Sequence, residues 1–347
     1  MTCVAAPEAH RTVRIMSGTY SIGVDLGGTN LRVAAYAEDV GLMDTIQLPT
    51  RLAEGSERVV RDISDAVLTL KRRDYGGREL AGVGIGTPGP LQLPEGILRN
   101  PPNLQGWDGF DLRSAIEAQL GHSVLLESDA NAAALAEARL GAGRIHGVDS
   151  LCVLTLGTGV GNGLILQGQV WHGLSGMGGE AGHIIVKDAG GAPCGCGGFG
   201  CLEQYASAKA VVRMGRELMG PDAPSSSHEL FELASNGEPR ALAVFEMVGH
   251  SLAIALTGLV NTLNLPLHLL AGGVCEAWDA FAPAMFRELR LRSYIYRLTE
   301  PSNRAAQTLE WQKTYVLRAV LGPTAGLLGA CLLPYQAEFS HRHPTGS

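Results

Sequence analysis

Four side chains that bind soft metals lie close together in this chain: His183, Cys194, Cys196 and Cys201. The pattern His-x10-Cys-x-Cys-x4-Cys supplies three thiolates and one imidazole, the donor set of a closed, tetrahedral structural zinc site. A redox pair would read Cys-x-x-Cys instead. Glycines at 195, 197, 198 and 200 let so short a loop fold around an ion, although a loop of free buried thiols has the same letters. A closed site leaves no coordination position open, so the expected zinc orders its loop and performs no chemistry. Glu180 precedes His183 by three residues and Glu203 follows Cys201 by two. Carboxylates accept pairs of sugar hydroxyls, but surface charges would have the same spacing.

Three glycine turns carry a second chemistry. Asp25-Leu26-Gly27-Gly28-Thr29 puts a carboxylate at the end of an apolar run and glycines in the turn after it. Glycine lets backbone N–H groups approach phosphate oxygens with no Cβ in the way. Thr29 adds a hydroxyl donor, and Asp25 can hold Mg²⁺ through water. Gly157-Thr158-Gly159 repeats the plan, and Gly272-Gly273 follows a buried run and precedes a helix, where open α/β sheets receive nucleotides. One such turn also fits a plain hairpin; three at equivalent strand ends point to a nucleotide. Other phosphate-binding plans fail. No Gly-Lys pair exists, which excludes a Walker loop, and GVGIGTPG at 82–89 is not followed about 20 residues on by an acidic residue at a strand end, as a Rossmann loop would be. The protein-kinase set is absent. Lys71, Lys187, Lys209 and Lys313 all lie away from the three turns along the chain. Asp129, at a strand-to-helix junction, reads either as a helix cap or as a general base for an attacking hydroxyl.

The elements that must position these groups follow from periodicity. Residues 20–37 read as strand, glycine turn, strand, with a third strand near 43–49; 150–170 repeat that plan, a hint of internal duplication. Further strands are predicted at 81–86, 124–127, 267–273 and 314–317. Helices are predicted at 54–72, 111–119, 129–143, 207–218, 226–234, 238–261, 276–290 and 323–333. Residues 171–204 are glycine-rich loop.

The 347 residues suit two lobes, and 46% hydrophobic with 18% charged residues is an ordinary globular composition. A net charge of −7 argues against a nucleic-acid partner. Lys71, Arg72 and Arg73, the one short basic run, read as a solvated helix end. Seven cysteines, four of them scattered singly, do not form a secreted disulfide framework, so the chain reads as cytoplasmic. The apolar stretches near 251–274 and 319–335 are interrupted by polar or helix-breaking residues and read as buried elements, with no membrane span expected. Residues 1–19 read as a flexible extension, with Met16 an alternative start, and 336–347 as a disordered tail.

Together, GVDLGGTNLR, GIGTPGPL, SDANAAALAE, LGTGVG, GGEAGH and CGCGGFGCLEQYAS resemble the ROK family of bacterial sugar kinases and repressors, over about residues 20 to 333. The resemblance implies an actin-like ATPase (ribonuclease H-like) α/β fold of two lobes, each a mixed sheet flanked by helices. The small lobe would span 20–130, with a C-terminal helix at about 320–335 packing back on it, and the large lobe 131–319 with the zinc-binding loop. It implies Asp129 as catalytic base. Gly89, Asn103, Ser128, Glu180, His183 and Glu203 would meet the sugar, His183 using one ring nitrogen for zinc and the other for sugar. The turns at Asp25–Thr29 and Gly157–Gly159 would hold the phosphates of Mg·ATP, and Gly272-Gly273 the adenosine. Two positions depart from the family pattern: Ser128 stands where Asn is usual, which bears on one sugar hydroxyl, and Asn162 where glycine is common, which bears on the nucleotide loop. GCLEQYAS most resembles the glucokinases, implying transfer to the 6-hydroxyl of glucose; fructokinases and N-acylmannosamine kinases share the other motifs. Some relatives use polyphosphate as donor, and dimers or tetramers are usual. The family's repressors carry a winged-helix domain ahead of the sugar-binding part; the stretch before the first strand is too short for one, so the kinase branch is expected.

Overall fold

The computed structural model describes residues 18–340, apart from 305 and 307, with side chains to residue 336. The extension expected at 1–19 lies outside the described residues up to 17, as does the expected tail from 341 on. In chain order the first half contains β1 (Thr19–Leu26), β2 (Asn30–Ala37), β3 (Gly41–Pro49), α1 (Ser56–Lys71), β4 (Glu79–Thr87), β5 (Leu91–Gln92), β6 (Ile97–Leu98), α2 (Leu112–Leu120), β7 (Leu125–Ser128), α3 (Asp129–Arg139) and α4 (Ala142–His146). The second half contains β8 (Leu151–Leu156), β9 (Val160–Leu166), β10 (Gln169–Val170), α5 (Glu203–Ala206), α6 (Ala208–Met219), α7 (Ser227–Ser235), α8 (Pro239–Leu263), β11 (Leu267–Ala271), α9 (Trp278–Arg292), α10 (Tyr294–Thr299), β12 (Tyr315–Arg318) and α11 (Ala325–Ser340).

The two halves share one sheet plan. The first sheet runs β3-β2-β1-β4-β7 and the second β10-β9-β8-β11-β12. In each, an antiparallel hairpin leads into parallel neighbours: β1 pairs antiparallel with β2 and parallel with β4, as β8 does with β9 and β11. The duplication hinted at by two Gly-Thr hairpins is therefore a duplication of topology.

α3 explains how the halves meet. Alanine occupies six of its positions, and Ala130 through Ala138 are all buried, because no face looks at solvent. Small residues permit this. A Cβ on Gly163 of β9 would lie 2.5 Å from the Ala134 Cβ, and one on Gly329 of α11 would lie 1.8 Å from the Ala132 carbonyl oxygen. Any side chain there would push the helices and sheets apart. The boundary expected at 130/131 falls inside this helix. α11 packs on β1, β4 and α3 and runs to Ser340, so the start of the segment expected as tail is helical. The helix expected over 129–143 stops at Arg139, and a separate turn of helix, α4, follows.

α8 is long and apolar enough to cross a membrane by composition alone, with a mean hydropathy of 1.6 in its best window. It is instead the centre of the second core, where Val244, Phe245, Val248, Leu252, Leu256 and Val260 are buried. Lys71 and Arg72, at the end of α1, are exposed as a solvated helix end should be.

Candidate active site between two sheets

At the junction of β7 and α3 the cap is not Asp129. Ser128 is the N-cap, in extended conformation, and its Oγ accepts from the Asn131 N–H at 3.2 Å. Asp129 is the first helical residue, so its carboxylate is not consumed as a cap. It accepts from the adjacent Ala130 N–H, at 2.7 Å, and opens onto the cleft. Protein crowds its other sides. That burial comes first in pushing its pKa up to about 7, with the negative charge of Asp25 second and Glu180 adding to it against the Ala130 hydrogen bond. A carboxyl group poised near neutrality at a cleft is suited to take a proton from a hydroxyl. Ser128, although committed as acceptor to the cap, keeps its O–H hydrogen available to a ligand.

Asp25 ends β1, and Arg32 across the hairpin donates to it from Nε at 3.0 Å and from Nη2. Burial raises the Asp25 pKa and Arg32 opposes the rise. Oδ2 is taken by Arg32, and Oδ1 lies against the backbone of Gly326, where a Cβ would come within 3.2 Å of it. Asp25, Asp129, Glu180 and Glu203 interact electrostatically in sequence. Of these, Asp25 stands at the root of the first glycine turn, where a carboxylate can hold a Mg²⁺ ion through water. The turn itself is pinned: Thr50 Oγ1 donates to the Gly27 carbonyl at 2.7 Å and Thr50 N–H to Thr29 at 2.8 Å.

The second turn is fixed from its far side. Ala208 N–H, at the start of α6, donates to the Gly157 carbonyl at 2.8 Å, and Val160 N–H donates to Glu203 Oε2 at 3.0 Å. A Cβ on Gly159 would lie 2.4 Å from that oxygen, so the carboxylate sits against the glycine backbone. Gly272 has φ of +92° and would place a Cβ 2.4 Å from the Leu156 carbonyl, which brings the third turn against the root of the second. Asn162 does not reach this loop. It is buried in β9, where Nδ2 donates to the Val153 carbonyl at 2.9 Å and to Cys152 Sγ at 3.1 Å.

The donor atoms of His183, Cys194, Cys196 and Cys201 all lie within 4.8 Å of one another. Cys196 Sγ and Cys201 Sγ are 3.7 Å apart, and Cys194 Sγ and His183 Nδ1 are 3.6 Å apart. A tetrahedron with Zn–S and Zn–N bonds of ordinary length has edges of about 3.8 and about 3.6 Å. Burial, then the neighbouring thiols, push the Cys201 thiol up to about 12, a charge conflict that a divalent cation would remove. The residues fit zinc. Nδ1 faces the thiols, which leaves Nε2 of His183 outside the cluster; Glu180, three residues earlier, has its pKa raised by burial and lowered by His183.

The remaining predicted residues converge on the same place. Gly89, joined to Pro90 by a cis peptide, would carry a Cβ 3.8 Å from that of Ser128. Asn103, Thr158, Gly159 and Glu203 line one cavity of about 160 Å³, and the Asn103 carbonyl lies 3.4 Å from where a Gly28 Cβ would be. Sequence reasoning missed four polar groups at this cavity: Gln204, Ser207, Lys209 and Arg213. Lysines avoid the turns along the chain, but α6 brings Lys209 back to Thr158 and Gly159 in space. Lys209, Arg213 and Arg216 recur at helical spacing and line a second, open cavity of about 710 Å³ with Ser225, Ser226 and Ser227. That i, i+4, i+7 recurrence after CLEQYAS was the available signal.

The family model described as "ROK family" matches residues 21–337. A glucokinase of Halalkalibacterium halodurans is 32% identical over 338 residues, covering 94% of this chain and 98% of that protein. A glucokinase of Thermotoga maritima is 35% identical over 323 residues, covering 89% and 95%. The crystal structure of a ROK family glucokinase from Streptomyces griseus in complex with glucose and AMPPNP superposes with a TM-score of 0.72 at 30% identity, covering 91% of this chain and 99% of that one.

Proposed function

This chain belongs to the ROK family and has its actin-like ATPase fold, and from that premise we propose that it is an ATP-dependent hexokinase that phosphorylates the 6-hydroxyl of glucose. The observation that carries the reading is Asp129: an uncapped carboxylate at the start of α3, open to the cleft, with a pKa pushed up to about 7 beside two glycine turns. Relatives over nearly the full chain are glucokinases, and one similar structure holds glucose and an ATP analogue.

In this reading Asn103, Glu180, His183 Nε2 and Glu203 hold the sugar hydroxyls, with Gly89 and Ser128 lining the pocket. Asp129 accepts the proton of the 6-hydroxyl as its oxygen bonds to the γ-phosphorus, and the bond to ADP breaks. The backbone at Gly27–Thr29 and Gly157–Gly159 orients the phosphates, and Gly272-Gly273 receives the adenosine. Mg²⁺, when bound near Asp25, supplies charge neutralisation on the phosphates. Zinc, when bound, orders the loop that presents Glu180 and His183. Lys209 is exposed beside the cavity and has no ion-pair partner among the described residues. Lys209→Met is expected to raise KM for Mg·ATP about tenfold, the worth of one charge-assisted hydrogen bond, with KM for glucose little changed. Initial rates at varied ATP and fixed saturating glucose check this.

The pH profile carries a signed prediction. Only ionised Asp129 accepts a proton, so kcat/KM for glucose should fall about tenfold per unit as pH drops below about 7, where an ordinary carboxylate would hold activity to about pH 4. A profile flat down to about pH 5 would mean that the base titrates as an ordinary carboxylate, which contradicts the raised pKa of Asp129. Substrate identity is tested by ADP release from Mg·ATP with glucose, mannose, fructose, allose and N-acetylmannosamine. Glucose should give the highest kcat/KM; preference for fructose or N-acetylmannosamine would move the chain to those kinases, and release with none would defeat the reading.

A further inference from the structure

Glu127 lies one residue before the cap and is 3% exposed, a buried carboxylate that the mechanism above does not use. Its Oε1 accepts from the Ser128 N–H and from Asn131 Nδ2, both at 2.9 Å, which braces the first turn of α3 where Asp129 sits. Its Oε2 lies 2.6 Å from Nε2 of His172. His172 belongs to the loop that follows β10 and ends at Glu180. That loop is closed on itself by Gly178 N–H donating to the His172 carbonyl at 2.9 Å. It is also held to the β5–β6 side of the cleft, where Leu93 N–H donates to the Ser175 carbonyl at 3.1 Å. A Cβ on Gly176 would lie 2.7 Å from that of Leu93, so the two segments are in close contact.

We infer that the Glu127–His172 contact is a latch in which Glu127 is a positioning residue, setting the sugar-binding loop at 172–180 relative to the base-bearing turn at 128–129. This rests on the hexokinase reading of the site. A single buried carboxylate that bonds both segments fixes their separation, and sugar affinity depends on that separation because Glu180 is on one side and Ser128 on the other. No hydrogen bond among the described residues joins the nucleotide turns at 27–29 and 157–159 to Glu127 or His172, so nucleotide binding should be indifferent to the latch.

His172 is partly exposed, with 41% of its side chain accessible, so its replacement should leave the fold intact. His172→Ala is expected to raise KM for glucose on the order of tenfold, with KM for Mg·ATP within about twofold of wild type. His172→Gln, whose amide N–H can reach the carboxylate, should restore most of the loss. In a double-mutant cycle, Glu127→Ala and His172→Ala should combine less than additively in KM for glucose, since both break the bond between them, while Glu127→Ala alone also removes the Oε1 brace on α3. An unchanged KM for glucose in His172→Ala, or equal increases in both KM values, would overturn the latch while leaving an active wild type as a hexokinase. A wild type that phosphorylates no hexose would overturn both.

Discussion

Asp129→Ala is expected to lower kcat for glucose phosphorylation by about 10³-fold, the middle of the range that a positioned general base contributes. The size follows from the local geometry. Ser128 caps α3, so Asp129 has no structural duty to the helix beyond its neighbour's N–H, and removing it leaves the turn standing. Binding should survive: glucose and Mg·ATP titrations should report affinities within about tenfold of wild type, because Glu180, His183 and the glycine turns are untouched. Asp129→Asn should lose the same activity and gain stability at alkaline pH. An aspartate with a raised pKa is costlier to ionise in the folded chain than in the unfolded one. That cost is absent below about pH 4 and is fully present above about pH 7, so the asparagine variant should melt higher than wild type on the alkaline side only. A variant with wild-type kcat would exclude Asp129 from proton transfer.

Loss of one thiolate from the metal cluster should have the next largest effect. Cys201 is buried, paired at 3.7 Å with Cys196, and next to Leu202 and Glu203. Cys201→Ser should reduce zinc from about one per chain to near zero and raise KM for glucose by about 10 to 100-fold, with KM for Mg·ATP changing far less. The asymmetry arises because His183 belongs to the cluster, whereas of the nucleotide turns only Gly157–Gly159 meets it, through Glu203, and Gly27–Thr29 and Gly272 belong to other elements. Elemental analysis and two-substrate kinetics on the same preparation check it. Wild-type chain purified with negligible zinc and full activity would dismiss a structural zinc.

The residues that could be read from sequence are those whose partners are near in the chain. The cysteine and histidine cluster is local, and its spacing alone predicts that three thiols and an imidazole come together. The two Gly-Thr hairpins repeat visibly, and the two sheets repeat with them. What the sequence hid depends on a one-residue boundary or on long-range packing. Whether residue 128 or 129 caps α3 cannot be read from Ser-Asp, since both side chains cap well; the backbone of Ser128 decides it. Lys209 lies far from Thr158 along the chain and reaches it only because α6 starts against Gly157. Glu127 and His172 come together through the folding of a glycine-rich loop with no periodicity to read. Asn162, one residue beyond Gly161, points into the sheet because alternation in a strand sends neighbouring side chains to opposite faces.

The central claim is transfer of the γ-phosphoryl group of ATP to one hydroxyl of one hexose. Phosphorus NMR of the protein with Mg·ATP and glucose tests it most directly, since donor and product are seen in one spectrum. The account predicts that the γ-phosphate signal is replaced by ADP and a single phosphomonoester on the 6-oxygen of glucose, with neither change in the Asp129→Ala sample over the same time. Consumption of ATP yielding only inorganic phosphate, or a phosphomonoester at another position, would contradict it.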